Sequence, residues 1–289
     1  MKRPEPDRAD PHAYMLLPRT SLSSLLFAAI VRDTRGAQLT ADERFNYFPA
    51  SPLWAVTWVL EGAIHLVDDA GTIDTFPLPK IFVTGPCVRP LVSWSPSSVY
   101  AMSVGIYPDA WRVLTIVDAA GLSARCWRLD EVLAGDLLEI FNAVGETSDF
   151  RAAFELIQAR LESLWREVRP KHLAPLLRLE DWTRVLAARA AVSGTGQSAR
   201  QIQRRIRSWT GLSLRELRLH ARAEGLFARS RSAGKDASLA EIAADAGYAD
   251  QSHMGREVRR ITGVSPARIN GLIRTDKRYW FYRLLGKRL

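Results

Sequence analysis

The sequence predicts an α+β chain: an amino-terminal antiparallel β-barrel or sandwich with trailing helices, then an all-α domain assembled from two copies of one helical unit. Three observations carry this. Between Phe45 and Ile106, short apolar runs alternate with glycine and proline, the spacing of strands joined by tight turns. Residues 198–217 (SARQIQRRIRSWTGLSLREL) and 250–269 (DQSHMGREVRRITGVSPARI) superpose at a constant offset of 52. Charge is divided as well: residues 171–289 hold 24 Lys+Arg against 10 Asp+Glu, net +14, whereas the first 170 are net −5. The length of 289 residues, 47% of them hydrophobic, suffices for two packed cores. A basic half tied to a mildly acidic half fits a nucleic-acid reader attached to a domain that does not touch nucleic acid.

Taken in order, residues 1–20 open with a charged, proline-rich run and predict a disordered arm. Residues 22–31 are apolar but about half the length a membrane-spanning helix needs, and Arg32 and Asp33 follow at once. No signal peptide pattern is present, so neither export nor a membrane partner is expected. Residues 53–60 form a β-rich run, Glu61-Gly62 breaks it, 64–67 continues, and 68–71 make a turn from which 73–76 pairs back. Runs 81–84, 91–94 and 99–106 complete six or so strands of a barrel or sandwich.

Along 53–60, Trp54, Val56, Trp58 and Leu60 share one strand face. The aromatics admit two readings, plain core or a pocket for an apolar effector; Trp54, Trp58, Phe82 and Trp94 would line such a pocket, with Arg89 or Arg44 holding an anionic group. His65 is the lone histidine in the strand region, which gives no metal-ligand set, and no cofactor is expected. Two cysteines, Cys87 and Cys126, are too few for a disulfide framework or a zinc site and point to a reducing cytoplasm.

Helices are predicted at 109–117, 129–141 and 149–168. In the last, Ser148 can cap, and Phe150, Phe154, Ile157, Leu161, Leu164 and Val168 make a stripe that either packs on the barrel or pairs with its twin in a homodimer. Arg169-Pro170 ends that helix. The division is thus an arm over 1–20, a sensor or dimerisation domain over 21–169, and a basic helical domain over 170–289.

Each copy of the duplicated unit has apolar residues at i, i+4 and i+7, then Thr-Gly, where glycine takes the left-handed conformation that ends a helix. Ile202, Ile206 and Trp209 share one face with Arg200, Arg204 and Arg207 opposite; Met254, Val258 and Ile261 oppose Ser252, Arg256 and Arg259. Such an outer face suits a helix lying in the major groove, because arginine reaches guanine edges bidentately or holds a phosphate. Before the second copy, Ser238 with Glu241 forms a capping box, Leu239, Ile242, Ala243 and Ala246 form a stripe, Gly247 turns the chain and Asp250 caps the next helix. That order is a helix-turn-helix. The support helix of the first copy falls at 182–191, its turn at 192–196, and a linker helix over 213–229 joins the copies.

Residues 239–243 (LAEIA), 246–254 (AGYADQSHM) and 262–266 (TGVSP) closely resemble the second helix-turn-helix of AraC/XylS-type transcription regulators. The resemblance implies a double helix-turn-helix that binds double-stranded DNA, a cupin-like sensor or dimerisation barrel, a small-molecule effector, and RNA polymerase as a partner. It places Arg200, Gln203, Arg204, Gln251, Ser252 and Arg256 at base edges and Arg207, Arg259 and Arg260 at phosphates. Val258 stands where the family usually has phenylalanine, and Gly255 weakens its helix while allowing close approach to DNA. Two other readings are an enzyme or repair protein with a DNA-targeting tail, against which the lack of a Cys-x-x-Cys spacing speaks, and a non-specific architectural DNA binder.

Overall fold

A computed structural model describes residues 13–115, 126–169, 176, 178–194, 198–232 and 251–285. Two antiparallel sheets build the amino-terminal half. The larger runs β1 (Ala13–Leu16), β2 (Leu26–Asp33), β8 (Tyr100–Ile106), β4 (Trp54–Glu61), β6 (Ile81–Thr84) and β9 (Cys126–Arg128) in that spatial order. The smaller has β3 (Phe45–Phe48), β7 (Leu91–Trp94) and β5 (His65–Val67), with β7 central.

Period-two alternation decides what each face of the large sheet meets. On β4, Trp54, Val56 and Trp58 point to one side, in register with Ile106, Val104 and Met102 of β8, and all are buried. That side packs on α1 (Pro108–Thr115), α3 (Gly135–Val144) and α4 (Phe150–Val168). Trp54 stacks on Trp111 with ring centroids 4.9 Å apart, and the Trp58 indole N–H donates to the Phe141 carbonyl at 2.8 Å. On the opposite side Ala55 pairs with Gly105 and Thr57 with Ser103, and Ala28 and Ile30 of β2 align with that same pair. Large side chains therefore face the helices, and small ones face the second sheet.

The amphipathic stripe of α4 is used within one chain, since Phe150, Phe154, Ile157 and Leu161 are buried in the core they share with the sheet. Its N-cap is Asp149, whose carboxylate accepts from Arg151 N and Ala152 N, and not Ser148. The span 129–141 divides into α2 (Leu129–Val132) and α3, whose first residue, Gly135, takes φ +59°. Residues 73–76 contribute a single bridge, Val67 to Ile73, instead of a returning strand.

The expectation of a disordered arm over 1–20 fails for residues 13–20. Ala13–Leu16 pairs along β2, and Thr20–Leu22 forms a 3-10 turn. The charged, proline-rich composition ends at Pro11, beyond which Tyr14, Met15 and Leu16 supply an apolar edge.

The carboxy-terminal half is helical: α5 (Leu179–Val192), α6 (Ala199–Thr210), α7 (Leu214–Ser232), α8 (Gln251–Thr262), α9 (Pro266–Thr275) and α10 (Trp280–Leu285). The predicted support helix of the second copy, with its Gly247 turn and Asp250 cap, lies outside the described residues. Among the described residues no helix is long and apolar enough to cross a membrane.

Candidate nucleic-acid interface and an adjoining cavity

α6 and α8 are the outward-facing helices of the two copies, each 12 residues long. Arg200, Gln203, Arg204 and Arg207 on α6 and Gln251, Ser252, Arg256, Arg259 and Arg260 on α8 are all exposed. Ile206, Met254, Val258 and Ile261 are buried beneath them. Ser198 opens α6 through the expected capping box, its hydroxyl accepting from Gln201 N at 3.3 Å while Gln201 Oε1 accepts from Ser198 N at 3.2 Å.

The copies close alike, atom for atom. Gly211 and Gly263 take φ +74° and +78°. The Thr210 hydroxyl donates to Ile206 O at 2.8 Å and accepts from Leu212 N at 3.2 Å. The Thr262 hydroxyl donates to Val258 O at 2.9 Å and accepts from Val264 N at 3.2 Å. Duplication thus extends from the sequence alignment to the hydrogen bonds that stop each helix at the same point.

Several positioning residues carry no signal in a one-dimensional pattern. Arg222 of α7 makes a two-pronged pair with Glu257 of α8, at 3.0 and 2.6 Å, and His253 Nε2 lies 3.2 Å from the same carboxylate. Arg205 Nη1 donates to Ala190 O at 2.9 Å, tying α6 to the last turn of α5. Arg260, expected at a phosphate, also lies 3.0 Å from Glu216 near the start of α7, so a phosphate would compete with that carboxylate.

The helical half is fastened to the sheets at two places. Asp109 of α1, buried, accepts from the Trp182 indole at 2.8 Å and pairs with Arg189, both on α5. On the other side, Trp280 Nε1 donates to Asn46 Oδ1 at 2.8 Å, Tyr279 stacks on Tyr47 with centroids 4.8 Å apart, and Ala50 N donates to Ile261 O at 2.8 Å. The first fastening holds the unit containing α6, the second the unit containing α8.

A cavity of about 210 Å³ lies between the sheets and reaches the helical half. Its walls include Ala28, Ala55, Gly105 and Phe82 from the large sheet, Leu66 and Leu91 from the small one, Ala223 and Phe227 from α7, Ile261 from α8 and Phe281 from α10. His220 and Glu224 bring polar groups from α7. Burial pushes the His220 imidazole down to about 4, against a smaller opposing effect of its hydrogen bond to the Ala50 backbone. Cys87 and Cys126 also line the cavity, and burial raises both thiols, so they stay protonated and slow to oxidise at neutral pH.

Of the residues expected around an effector, only Phe82 borders this cavity. Trp54 and Trp58 lie on the other face of β4, filled by Trp111 and Phe141. Trp94 meets His65 edge-on, Arg44 donates to the Pro96 carbonyl, and Arg89 is exposed 3.3 Å from Asp69. The physical reason is volume: large aromatic rings fill the space they face, whereas a cavity needs the alanine, glycine and serine side of the sheet. His65 Nδ1 sits 2.8 Å from Asp74 O, a structural hydrogen bond.

Residues 182–270 match the family model of a helix-turn-helix domain. That span begins in α5 and ends in α9, so it encloses both copies. A comparison with curated proteins returns no match. Among solved structures, ToxT from Vibrio cholerae is similar at 12% identity and a TM-score of 0.37, covering 79% of this chain and 95% of that one. ToxT with bound unsaturated fatty acid gives 12% identity and 0.35, covering 78% and 94%. The AraC-like transcriptional activator CuxR gives 12% identity and 0.29, covering 92% and 82%.

Proposed function

We propose that this chain, whose residues 182–270 form a helix-turn-helix domain of the AraC type, is a sequence-specific transcription regulator. Its α6 and α8 contact double-stranded DNA, and an effector held in the amino-terminal half modulates that contact. The observation that carries the reading is a pair of equally built helices, each presenting exposed arginines on a buried apolar base. In this reading Arg200, Gln203, Arg204, Gln251, Ser252 and Arg256 meet base edges, and Arg207, Arg259 and Arg260 meet phosphates. Recruitment of RNA polymerase completes the activity. An effector changing DNA occupancy by 5- to 150-fold needs about 1 to 3 kcal/mol of coupling. The net charge of +14 over residues 171–289 favours a polyanion for this half, and its placement on two built helix faces favours sequence reading over non-specific coating.

The test is equilibrium binding of the full chain to its own genomic sites and to scrambled duplexes at two salt concentrations. Arg204→Ala and Arg256→Ala are each expected to cost about 1 to 3 kcal/mol on the specific site with little change on scrambled DNA. Arg207→Ala and Arg259→Ala should weaken both duplexes alike and flatten the salt slope by roughly one unit. A specificity ratio unchanged in both Arg204→Ala and Arg256→Ala removes α6 and α8 from the reading role.

A further inference from the structure

We propose that Arg222 and Glu257 are specificity-determining positioning residues: their ion pair fixes the rotation of α8 about its own axis on the linker helix α7, and so aims Ser252 and Arg256. The inference rests on the regulator reading for what α8 is aimed at, whereas the bracing follows from the geometry. Arg222 Nε donates to Glu257 Oε2 at 3.0 Å, and Nη2 donates to Oε1 at 2.6 Å. One turn back on α8, His253 Nε2 lies 3.2 Å from the same carboxylate. Arg260 and Glu216 make a second tie between the two helices. Their side chains are 45% and 24% exposed against 28% and 12% for Arg222 and Glu257, so water screens the Arg222 pair less.

Beneath α8 lie Met254, Val258 and Ile261. Apolar burial is non-directional and selects only which broad side of a helix faces in, whereas a two-pronged guanidinium–carboxylate pair adds a specific geometry. A helix with its side chains is about 10–12 Å across, so turning it by about 20° moves its outer face by about 2 Å. That exceeds the roughly 0.5 Å range over which an N–H···O bond keeps its strength. Ser252 and Arg256 directly precede His253 and Glu257 in the chain, so the braced side and the reading side turn together. The first copy is hung otherwise. At the offset of 52 the residue matching Glu257 is Arg205, which donates to Ala190 O on α5 at 2.9 Å. Loosening Arg222 therefore disturbs α8 and spares α6.

Arg222→Lys keeps the charge and removes the two-pronged fit; Glu257→Gln keeps the shape and removes the charge. Two measurements on the full chain read them. Without DNA, spin labels at Ser208→Cys on α6 and Arg259→Cys on α8, in a background of Cys87→Ser and Cys126→Ser, report the distance between the helices by pulsed electron resonance. Each variant is expected to shift that distance, or broaden its distribution, by about 2 Å. With DNA, duplexes carrying single base-pair changes are titrated, and the base pairs read by α6 and by α8 are assigned by loss of discrimination in Arg204→Ala and Arg256→Ala. Each variant is expected to lose about fivefold or more of the discrimination at the α8 base pairs and to keep that at the α6 base pairs. Arg222→Lys should also leave the salt slope unchanged. Discrimination kept at the α8 base pairs, or lost at both sets alike, overturns the proposal, as do distances unmoved in both variants. A wild type that favours no genomic site over scrambled duplexes sinks the regulator reading instead, and the distances alone then decide the bracing.

Discussion

His220 is a residue whose role depends wholly on where folding puts it. In the sequence it is one histidine in a helix of arginines and leucines; in the structure it is 3% exposed, with its pKa lowered to about 4 by burial. An unfolded histidine takes its proton near 6.5. Above that pH neither state is protonated and His220 contributes no pH dependence. As pH falls from about 6.5 to 4 only the unfolded chain gains the proton, so stability is lost, amounting to roughly 3 kcal/mol when complete. Urea unfolding across that window should show wild type losing more stability than His220→Gln, and parallel curves would contradict the assignment. The exposure of Arg204 and Arg256, by contrast, is legible in sequence, because a helical period reports which side of a helix faces outward. Asp109 with Arg189, and Arg222 with Glu257, are not legible, because each pair joins residues far apart in the chain and no local pattern links them.

Helix α8 shows the same division one level up. Its apolar spacing fixes which side is buried, and Thr262-Gly263 fixes where it stops. The glycine inside it has no such explanation: a Cβ at Gly255 would meet nothing within 4 Å, so the protein's own packing does not demand it. Alanine there should stabilise the helix by up to about 1 kcal/mol. If the open space belongs to DNA, Gly255→Ala will raise the thermal midpoint and yet weaken specific binding; a variant that gains stability and keeps full affinity would leave the glycine without a DNA role. Elements were misread where composition misled. The proline-rich start hid β1 at Ala13–Leu16, and the apolar span 22–31 gave up β2 only once β8 was there to pair with it. The aromatic face of β4 admitted plain core or a pocket from sequence, and it is core: Trp54 and Trp58 occupy the volume themselves against Trp111 and Phe141.

For the whole molecule, the division into a sheet-rich half and a basic helical half was readable from charge and periodicity, whereas the way the halves hold each other was not. They meet through Asp109 with Trp182 and Arg189 on one side, and through Asn46, Tyr47 and Ala50 with Trp280, Tyr279 and Ile261 on the other. Each fastening holds a different copy of the helical unit, and the cavity touches both α7 and the second fastening. An occupant that shifts the sheets would therefore change how α6 and α8 sit relative to each other, and in the regulator reading two helices held by one linker must both fit the same duplex. Asp109→Ala should destabilise the chain by roughly 3 kcal/mol, since it strands Arg189 and the Trp182 indole. Asn46→Ala removes the bond from the Trp280 indole and those to Arg44 O and Ser93 Oγ, and should cost about 1 to 3 kcal/mol. With both changed, the apolar clusters that seat α6 against the sheets and α8 against α7 remain, so in the regulator reading specific binding should persist while the effector's influence on it, about 1 to 3 kcal/mol, falls. Operator binding by the double variant with and without effector measures this directly. Coupling retained at its wild-type value would mean that the signal travels by α7 alone and that the two fastenings serve only stability.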